Sequence, residues 1–308
     1  MVLKPPKLKS NAHIRIIAPA SAPNLKSLTA GVTRLKKIGF KVTLGENIRK
    51  TKQIGYLSAP DIDRARELNS AFADPTVDAI FCARGGFGGL RILPLIDYDL
   101  IKDNPKIFLG YSDITALHIA FNKKADLITF HGPMPGVDFE NITPEIINNM
   151  IEILSGETLD LTKQINRIVG TVVDGKVSGI SAGTNFSLFA SLFGTEYQIK
   201  GHNRILFLED VSTSISDIDR YMSELWLSKV LYRVKALLFG DFTQIPEEQV
   251  PTPSLQEIIY NYLYKMKKPT MYGLPFGHGS DQMTIPLNAK MKISTSEPSI
   301  TLLENVVD

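Results

Sequence analysis

Along the first half of the chain, short apolar runs alternate with stretches whose apolar residues recur every three or four positions. Ile14 to Ala18 reads as a strand. After the loop Pro19-Ala20-Ser21-Ala22-Pro23, residues Leu25, Leu28, Val32, Leu35 and Ile38 mark one face of a helix. Lys41 to Leu44 reads as a second strand, and Asp61 to Phe72 as a helix that begins just after Pro60. Ala79 to Ala83, Ile107 to Leu109 and Leu127 to Phe130 supply three more strands with helices between them, and a helix near Thr143 to Leu154 closes this half. Such alternation predicts a mostly parallel sheet covered on both faces, with ligands bound outside the carboxyl ends of its strands.

The stretch from Ser155 to Arg167 is polar and poorly periodic, and reads as a linker. We therefore expect two domains, 1–160 and 161–308, a division that 308 residues readily support. The second half carries short β-like runs at Ile168 to Val173, Arg204 to Leu208, Ala236 to Phe239, Met283 to Pro286, Met291 to Ser294 and Ile300 to Leu303. Helical patterns lie between them at Asn185 to Phe193, Ile218 to Leu227 and Leu255 to Met266. A smaller mixed α/β domain is the expectation. No internal repeat or low-complexity tract interrupts the pattern.

Composition adds exclusions. With 44% hydrophobic and 21% charged residues the chain reads as an ordinary globular protein. Its net charge of +2 is spread along the sequence, which argues against a nucleic-acid partner or a polybasic membrane contact. The start, Met1 to Ser10, lacks the apolar core of a secretory signal, and no run reaches membrane-spanning length, so a cytoplasmic location is expected. The single cysteine, Cys82, sits in an apolar run and reads as a buried small hydrophobe. No His, Cys, Asp and Glu cluster has metal-ligand spacing, so neither a metal nor another cofactor is expected.

Candidate chemistry concentrates at three places. In Ile107-Phe108-Leu109-Gly110-Tyr111-Ser112-Asp113 an apolar strand breaks at a glycine, and a helix begins directly behind a serine. That layout lifts a hydroxyl above a sheet edge at a helix N-terminus, so Ser112 is a candidate nucleophile; serine is also a favoured helix cap. Ala83-Arg84-Gly85-Gly86-Phe87-Gly88-Gly89 follows another strand, and its glycines let backbone N–H groups approach an anion. It matches neither the phosphate-loop nor the dinucleotide pattern, and a plain tight turn is the other reading. Arg84 suits a substrate carboxylate or a surface acid.

A serine nucleophile needs a base, and the base needs an orienting group. Of five histidines, His118 lies six residues past Ser112 on a rigid helix and reads as a packing or surface residue. His131, after a strand, and His278, in the glycine-flanked turn Phe276-Gly277-His278-Gly279, are equal candidates on spacing alone. The strand ending Leu208-Glu209-Asp210 offers an acid, and period-two alternation lets only one of the two carboxylates serve.

These segments together resemble the LD-carboxypeptidase family of serine peptidases, which includes muramoyltetrapeptide carboxypeptidases and microcin-immunity peptidases. The resemblance runs through Ala18-Pro19-Ala20-Ser21, Ala83 to Gly88, Gly110 to Asp113, Phe130-His131-Gly132-Pro133, Gly183 to Leu188, Leu208 to Val211 and Pro275 to Gly279. It implies a flavodoxin-like or amidotransferase-like parallel-sheet N-domain and a smaller mixed α/β C-domain. It assigns Ser112 as nucleophile, His278 as base and Glu209 as the orienting acid, which breaks the histidine tie. The oxyanion is then expected on the backbone N–H of Asp113 with one from Gly85 or Gly86, and Arg84, Tyr111 and His131 become candidate substrate contacts. The implied reaction cleaves the bond before a C-terminal D-alanine in peptidoglycan tetrapeptides during cell-wall recycling, by a homodimer whose site lies at the domain interface. An immunity-type peptidase opening a peptide–nucleotide amide is the alternative, disfavoured by the chain's length and single tryptophan, Trp226. A non-catalytic binder of small peptides or nucleotides is the third reading.

Overall fold

The structure, a computed structural model, describes residues 2–50, 53–167, 169–247, 250–264 and 266–308, the side chains of 49 and 50 excepted. It forms two compact units, Met1–Thr158 with Met283–Asn288 and Asn305–Asp308, and Leu159–Gln282 with Ala289–Glu304.

The first unit is built on strands β1 (His13–Ile17), β2 (Lys41–Leu44), β3 (Ala79–Cys82), β4 (Ile107–Gly110) and β5 (Thr129–His131). They pair in parallel in the spatial order β2-β1-β3-β4-β5, the flavodoxin-like arrangement. Helices α1 (Leu25–Ile38), α2 (Glu46–Lys50), α3 (Asp61–Ala73), α4 (Gly89–Ile92), α5 (Tyr98–Asp103), α6 (Thr115–Lys124) and α7 (Pro144–Leu154) alternate with them. Their ends follow local chemistry. Asn24 Oδ1 accepts from the N–H groups of Lys26 and Ser27 to start α1, and Thr143 caps α7 ahead of Pro144. Every residue of β3 and β4 is buried, as is each one from Thr115 to Asn122 in α6. The unbroken apolar runs that predicted the strands are therefore the mark of a sheet packed on both faces.

The second unit holds β6 (Gly170–Val173), β7 (Lys176–Asn185), β8 (Arg204–Val211), β9 (Ala236–Thr243) and β10 (Thr270–Tyr272). The next strand, β11 (Ile285–Leu287), pairs antiparallel with β5 at the edge of the first sheet. β12 (Lys290–Ser294) and β13 (Ser299–Leu302) then complete the second sheet, in the order β13-β12-β7-β8-β9-β10-β6. Strands β7 to β10 run parallel, and the outer ones antiparallel. Its helices are α8 (Phe186–Ala190), α9 (Ile215–Leu227), α10 (Val230–Arg233) and α11 (Leu255–Leu263).

Several expectations need adjustment. A single break at 160 misses the return of β11, whose backbone hydrogen bonds are made in the first sheet. The predicted helix from Asn185 begins at Phe186, because Asn185 is its cap, accepting from Leu188 N–H. The run from Ile168 starts as a strand at Gly170; Ile168 itself lies outside the described residues. Strands β7 and β10 were not predicted.

Candidate active site

Three loops leave the carboxyl ends of β1, β3 and β4 and are tied to one another. Ser21 N–H donates to the Gly85 carbonyl at 3.1 Å, and Phe87 N–H donates to Ser21 Oγ at 3.1 Å. Gly89 N–H donates to Asp113 Oδ2 at 2.6 Å. Ser112 stands where β4 turns into helix. It opens a 3-10 turn, Ser112–Ile114, that leads directly into α6, and its φ of +64° is left-handed. A side chain in that region costs about 1–3 kcal/mol and is kept only where the surroundings hold it. Here Tyr111 is fully extended before it, and the imidazole of His118 bonds the Gly110 carbonyl at 2.8 Å from below. Gly85 packs against the same turn so closely that a Cβ there would lie 2.8 Å from Ser112 Cβ. This is a strained strand–turn–helix elbow with a glycine loop beside it.

Asp113 faces inward. Its carboxylate is buried, and burial pushes its pKa up to about 6 against the pull of the Gly89 N–H and of Arg64. His118 is wholly buried, which pushes its pKa down to about 4 and keeps it neutral at physiological pH. Of the packing and surface readings it takes the first, and it also braces the carbonyl two residues before Ser112.

The remaining first-unit candidates divide. Arg84 is exposed at the start of the glycine loop, with Nη1 3.3 Å from the Ala22 carbonyl, and Gly86 faces solvent next to it. Tyr111 is buried and gives its hydroxyl to Asp138 Oδ1 at 3.0 Å. His131 is fully buried on β5, its ring edge-on to Tyr111 at 5.7 Å. Tyr111 and His131 thus belong to the packing under the turn rather than to an open surface.

The second unit supplies an acid and an imidazole. His278 Nδ1 lies 2.7 Å from Glu209 Oε2, with the histidine side chain 16% exposed and the glutamate fully buried. Glu209 sits at a register shift between β8 and β9. Such an extra residue re-aims side chains and breaks strict alternation. Both neighbouring acids are buried, as is most of β8, and they have different partners. Asp210 accepts from Ser187 N–H at 2.9 Å and from Asn185 Nδ2 at 3.1 Å, closing the start of α8. Burial raises the Glu209 pKa, and the hydrogen bond to His278 opposes it. With Glu209 accepting from Nδ1, the hydrogen-bond network assigns the imidazole tautomer that leaves Nε2 to accept a proton.

The loop carrying His278 is held by residues with no motif. Arg167 donates from Nε to the Gly273 carbonyl at 2.8 Å and from Nη2 to the Leu274 carbonyl at 2.6 Å, and pairs with Asp241 at 2.7 Å. Gly277 adopts a φ of +115° against Glu209, where a Cβ would lie 2.8 Å from the glutamate's own Cβ. Gln282 Nε2 donates to the Gly277 carbonyl at 2.5 Å. Arg167 had been read as the end of a linker. Among the described residues, no group of three or more His, Cys, Asp or Glu is arranged to hold a metal, and no helix is long and apolar enough to cross a membrane.

Two α/β sheets, the first largely parallel, with a left-handed serine at a strand-to-helix turn in one unit and a histidine–glutamate pair in the other, define the class. Comparison with known proteins gives the family. The profile of the LD-carboxypeptidase N-terminal domain matches residues 14–132, and that of the LD-carboxypeptidase C-terminal domain matches residues 178–293. The probable murein peptide carboxypeptidase of Bacillus subtilis is 33% identical, over 97% of this chain and 94% of its own. The chain belongs to the LD-carboxypeptidase family of peptidases. Its fold matches the microcin C7 self-immunity protein in complex with aspartyl sulfamoyl adenosine, with a TM-score of 0.88 at 27% identity over 99% and 100% of the two chains. It also matches the muramoyltetrapeptide carboxypeptidase from Oxalobacter formigenes, with a TM-score of 0.80 at 26% identity over 94% and 98%.

Proposed function

We propose that the chain is a serine-type LD-carboxypeptidase that removes a C-terminal D-amino acid, D-alanine, from peptidoglycan tetrapeptides, with Ser112, His278 and Glu209 as its triad. The observation that carries this reading is the 2.7 Å bond between a fully buried Glu209 and the partly exposed His278, which prepares Nε2 as a general base. In this reading His278 takes the Ser112 proton as Oγ attacks the acyl carbonyl. The backbone N–H of Asp113 and one from Gly85 or Gly86 receive the oxyanion. The C–N bond then breaks as His278 protonates the leaving D-alanine nitrogen. Water, deprotonated by His278, adds to the Ser112 ester, and as the C–O bond breaks His278 passes that proton to Oγ and the shortened peptide leaves as its acid. Arg84 is exposed on the glycine loop and suits the substrate's terminal carboxylate.

The test is release of free D-alanine from an LD-linked tetrapeptide, with DL- and LL-linked peptides as controls. Ser112→Ala should abolish release, and near-normal release would refute the assignment. Likeness to the immunity protein bound to an aspartyl sulfamoyl nucleoside supports a second reading, cleavage of a peptide–nucleotide amide. Preferential turnover of an aminoacyl sulfamoyl adenosine over the tetrapeptide would establish it. The proposal further places the enzyme in the cytoplasm as a homodimer, to be checked by fractionation and sedimentation.

A further inference from the structure

One peptide group of the glycine loop is held between opposite charges. Arg64 Nη1 donates to the Gly88 carbonyl at 2.9 Å, and the adjoining N–H, that of Gly89, donates to Asp113 Oδ2 at 2.6 Å. Arg64 is fully buried and Asp113 is 2% exposed, so cation and anion face each other across a single amide with little solvent screening. The amide oxygen points to the cation and its hydrogen to the anion, the orientation both charges favour.

Neither charge is free to drift. Arg64 also donates to the carbonyls of Pro19 and Ala59 and pairs with Asp61, whose carboxylate Arg91 grips with Nε and Nη2 at 2.7–3.1 Å. Asp113 is bonded in sequence to Ser112, and at the far end of the loop Gly85 lies so near the same turn that a Cβ on it would come within 2.8 Å of Ser112 Cβ. Helix capping explains less than this. The helix that follows, α4, has only four residues, and a cap does not call for a buried guanidinium on the preceding carbonyl.

We propose that Arg64 and Asp113 are positioning residues which, bridged through the Gly88–Gly89 peptide, lock the Gly85–Gly89 loop in register with the Ser112 turn and so aim its N–H groups at the oxyanion. The inference rests on Ser112 being the nucleophile. Oxyanion donors work only when fixed within a narrow range of distance, and a glycine-rich loop has no side chains of its own to fix it.

The experiment compares full-length wild type with Asp113→Asn, Arg64→Lys, Arg64→Met and Ser112→Ala. Each is assayed for kcat and KM of D-alanine release from an LD-tetrapeptide, for thermal midpoint, and for the rate of Ser112 labelling by a serine-directed phosphonate. Asp113→Asn keeps the shape and removes the charge. It should lower kcat and the labelling rate by roughly 10- to 100-fold, less than deletion of an oxyanion donor, while KM stays within about twofold. Arg64→Lys should keep more kcat than Arg64→Met, because one charge survives without the fork. If Asp113→Asn keeps wild-type kcat while Ser112→Ala is inactive, the inference fails and the nucleophile stands. A raised KM at unchanged kcat also overturns it, because the loop would then serve ground-state binding. Should Ser112→Ala remain active, the nucleophile reading fails and takes the inference with it. If the Arg64 variants do not fold, Asp113→Asn still decides.

Discussion

Replacing Glu209 by glutamine tests its proposed role in orienting His278, the proposed base, apart from stability. The side chain is fully buried at the register shift in β8, with Oε2 2.7 Å from His278 Nδ1. Glutamine keeps its volume but offers an amide that can donate as well as accept. A donated amide hydrogen favours the imidazole protonated on Nε2, which removes the lone pair that the proposed mechanism needs to accept the Ser112 proton. It also removes the negative charge that stabilises the imidazolium formed in the transition state. The equivalent acid-to-amide change in a chymotrypsin-type serine protease costs ~10⁴ in kcat. That corresponds to about 5.5 kcal/mol at about 1.4 kcal/mol per decade. Folding should respond differently. Burial already raises the Glu209 pKa, so a neutral isostere escapes the desolvation cost and should change stability by no more than about 1 kcal/mol. The assay is initial-rate D-alanine release beside a thermal melt. A Glu209→Gln enzyme within about tenfold of wild-type kcat, alongside an inactive Ser112→Ala, would refute the orienting role. A large drop in melting temperature would instead show that the glutamate acts mainly in packing.

Other outcomes follow from the same geometry. Ser112→Gly should eliminate activity and yet raise the thermal midpoint by about 2–4 °C, because glycine relieves roughly 1 kcal/mol at a φ of +64°; an unchanged or lower midpoint would mean the turn is unstrained. Asp113 should set a pH dependence of stability. Its folded pKa of about 6 lies above the ordinary 3.8, so the folded state binds the extra proton, and this contribution is present below pH 3.8 and lost as pH rises through 6. The full swing is about 3 kcal/mol, and Asp113→Asn should flatten the curve between pH 4 and 6 in denaturant titrations. Cys82 is buried with its thiol pKa raised well above normal by burial, so Ellman's reagent should find no thiol in the native protein and one per chain after unfolding. Labelling of the native protein would contradict the packing of β3.

Much of the first unit was legible because its strands are buried on both faces and so appear as unbroken apolar runs. Helix starts were legible where a proline or a capping residue marked them, as at Pro60 and Thr143. Strand β7 was not. Its sequence, Lys176-Val-Ser-Gly-Ile-Ser-Ala-Gly-Thr-Asn185, has small and polar residues in place of alternating large ones, although it lies inside the sheet between β12 and β8. For β11 the apolar run was visible but its destination was not, because pairing with β5 joins residues more than 150 positions apart. At the site, the strand–turn–helix pattern singled out Ser112. Spacing left His131 and His278 level, and the family resemblance chose His278; in the structure His131 is sealed on β5 and His278 is bonded to Glu209. Alternation at Glu209 and Asp210 left one acid for the histidine, and only Glu209 bonds His278 while Asp210 holds the start of α8.

The least legible residues share one physical role. Arg64 donates to the carbonyls of Pro19, Ala59 and Gly88, and Arg167 to those of Gly273 and Leu274. A carbonyl has no residue identity, so no motif announces such contacts. Each guanidinium also pairs with one acid, Asp61 or Asp241, which keeps its charge compensated as solvent is withdrawn. The loops they hold are the ones that bear the proposed oxyanion donors and the proposed base. Such loops cannot satisfy their carbonyls by regular pairing, yet they must be rigid to align a reacting group. A planar fork with five donors meets both needs at once, where a lysine would offer a single point of attachment. The same device thus stiffens a loop in each unit, and it explains how irregular backbone is held without a surrounding sheet or helix to fix it.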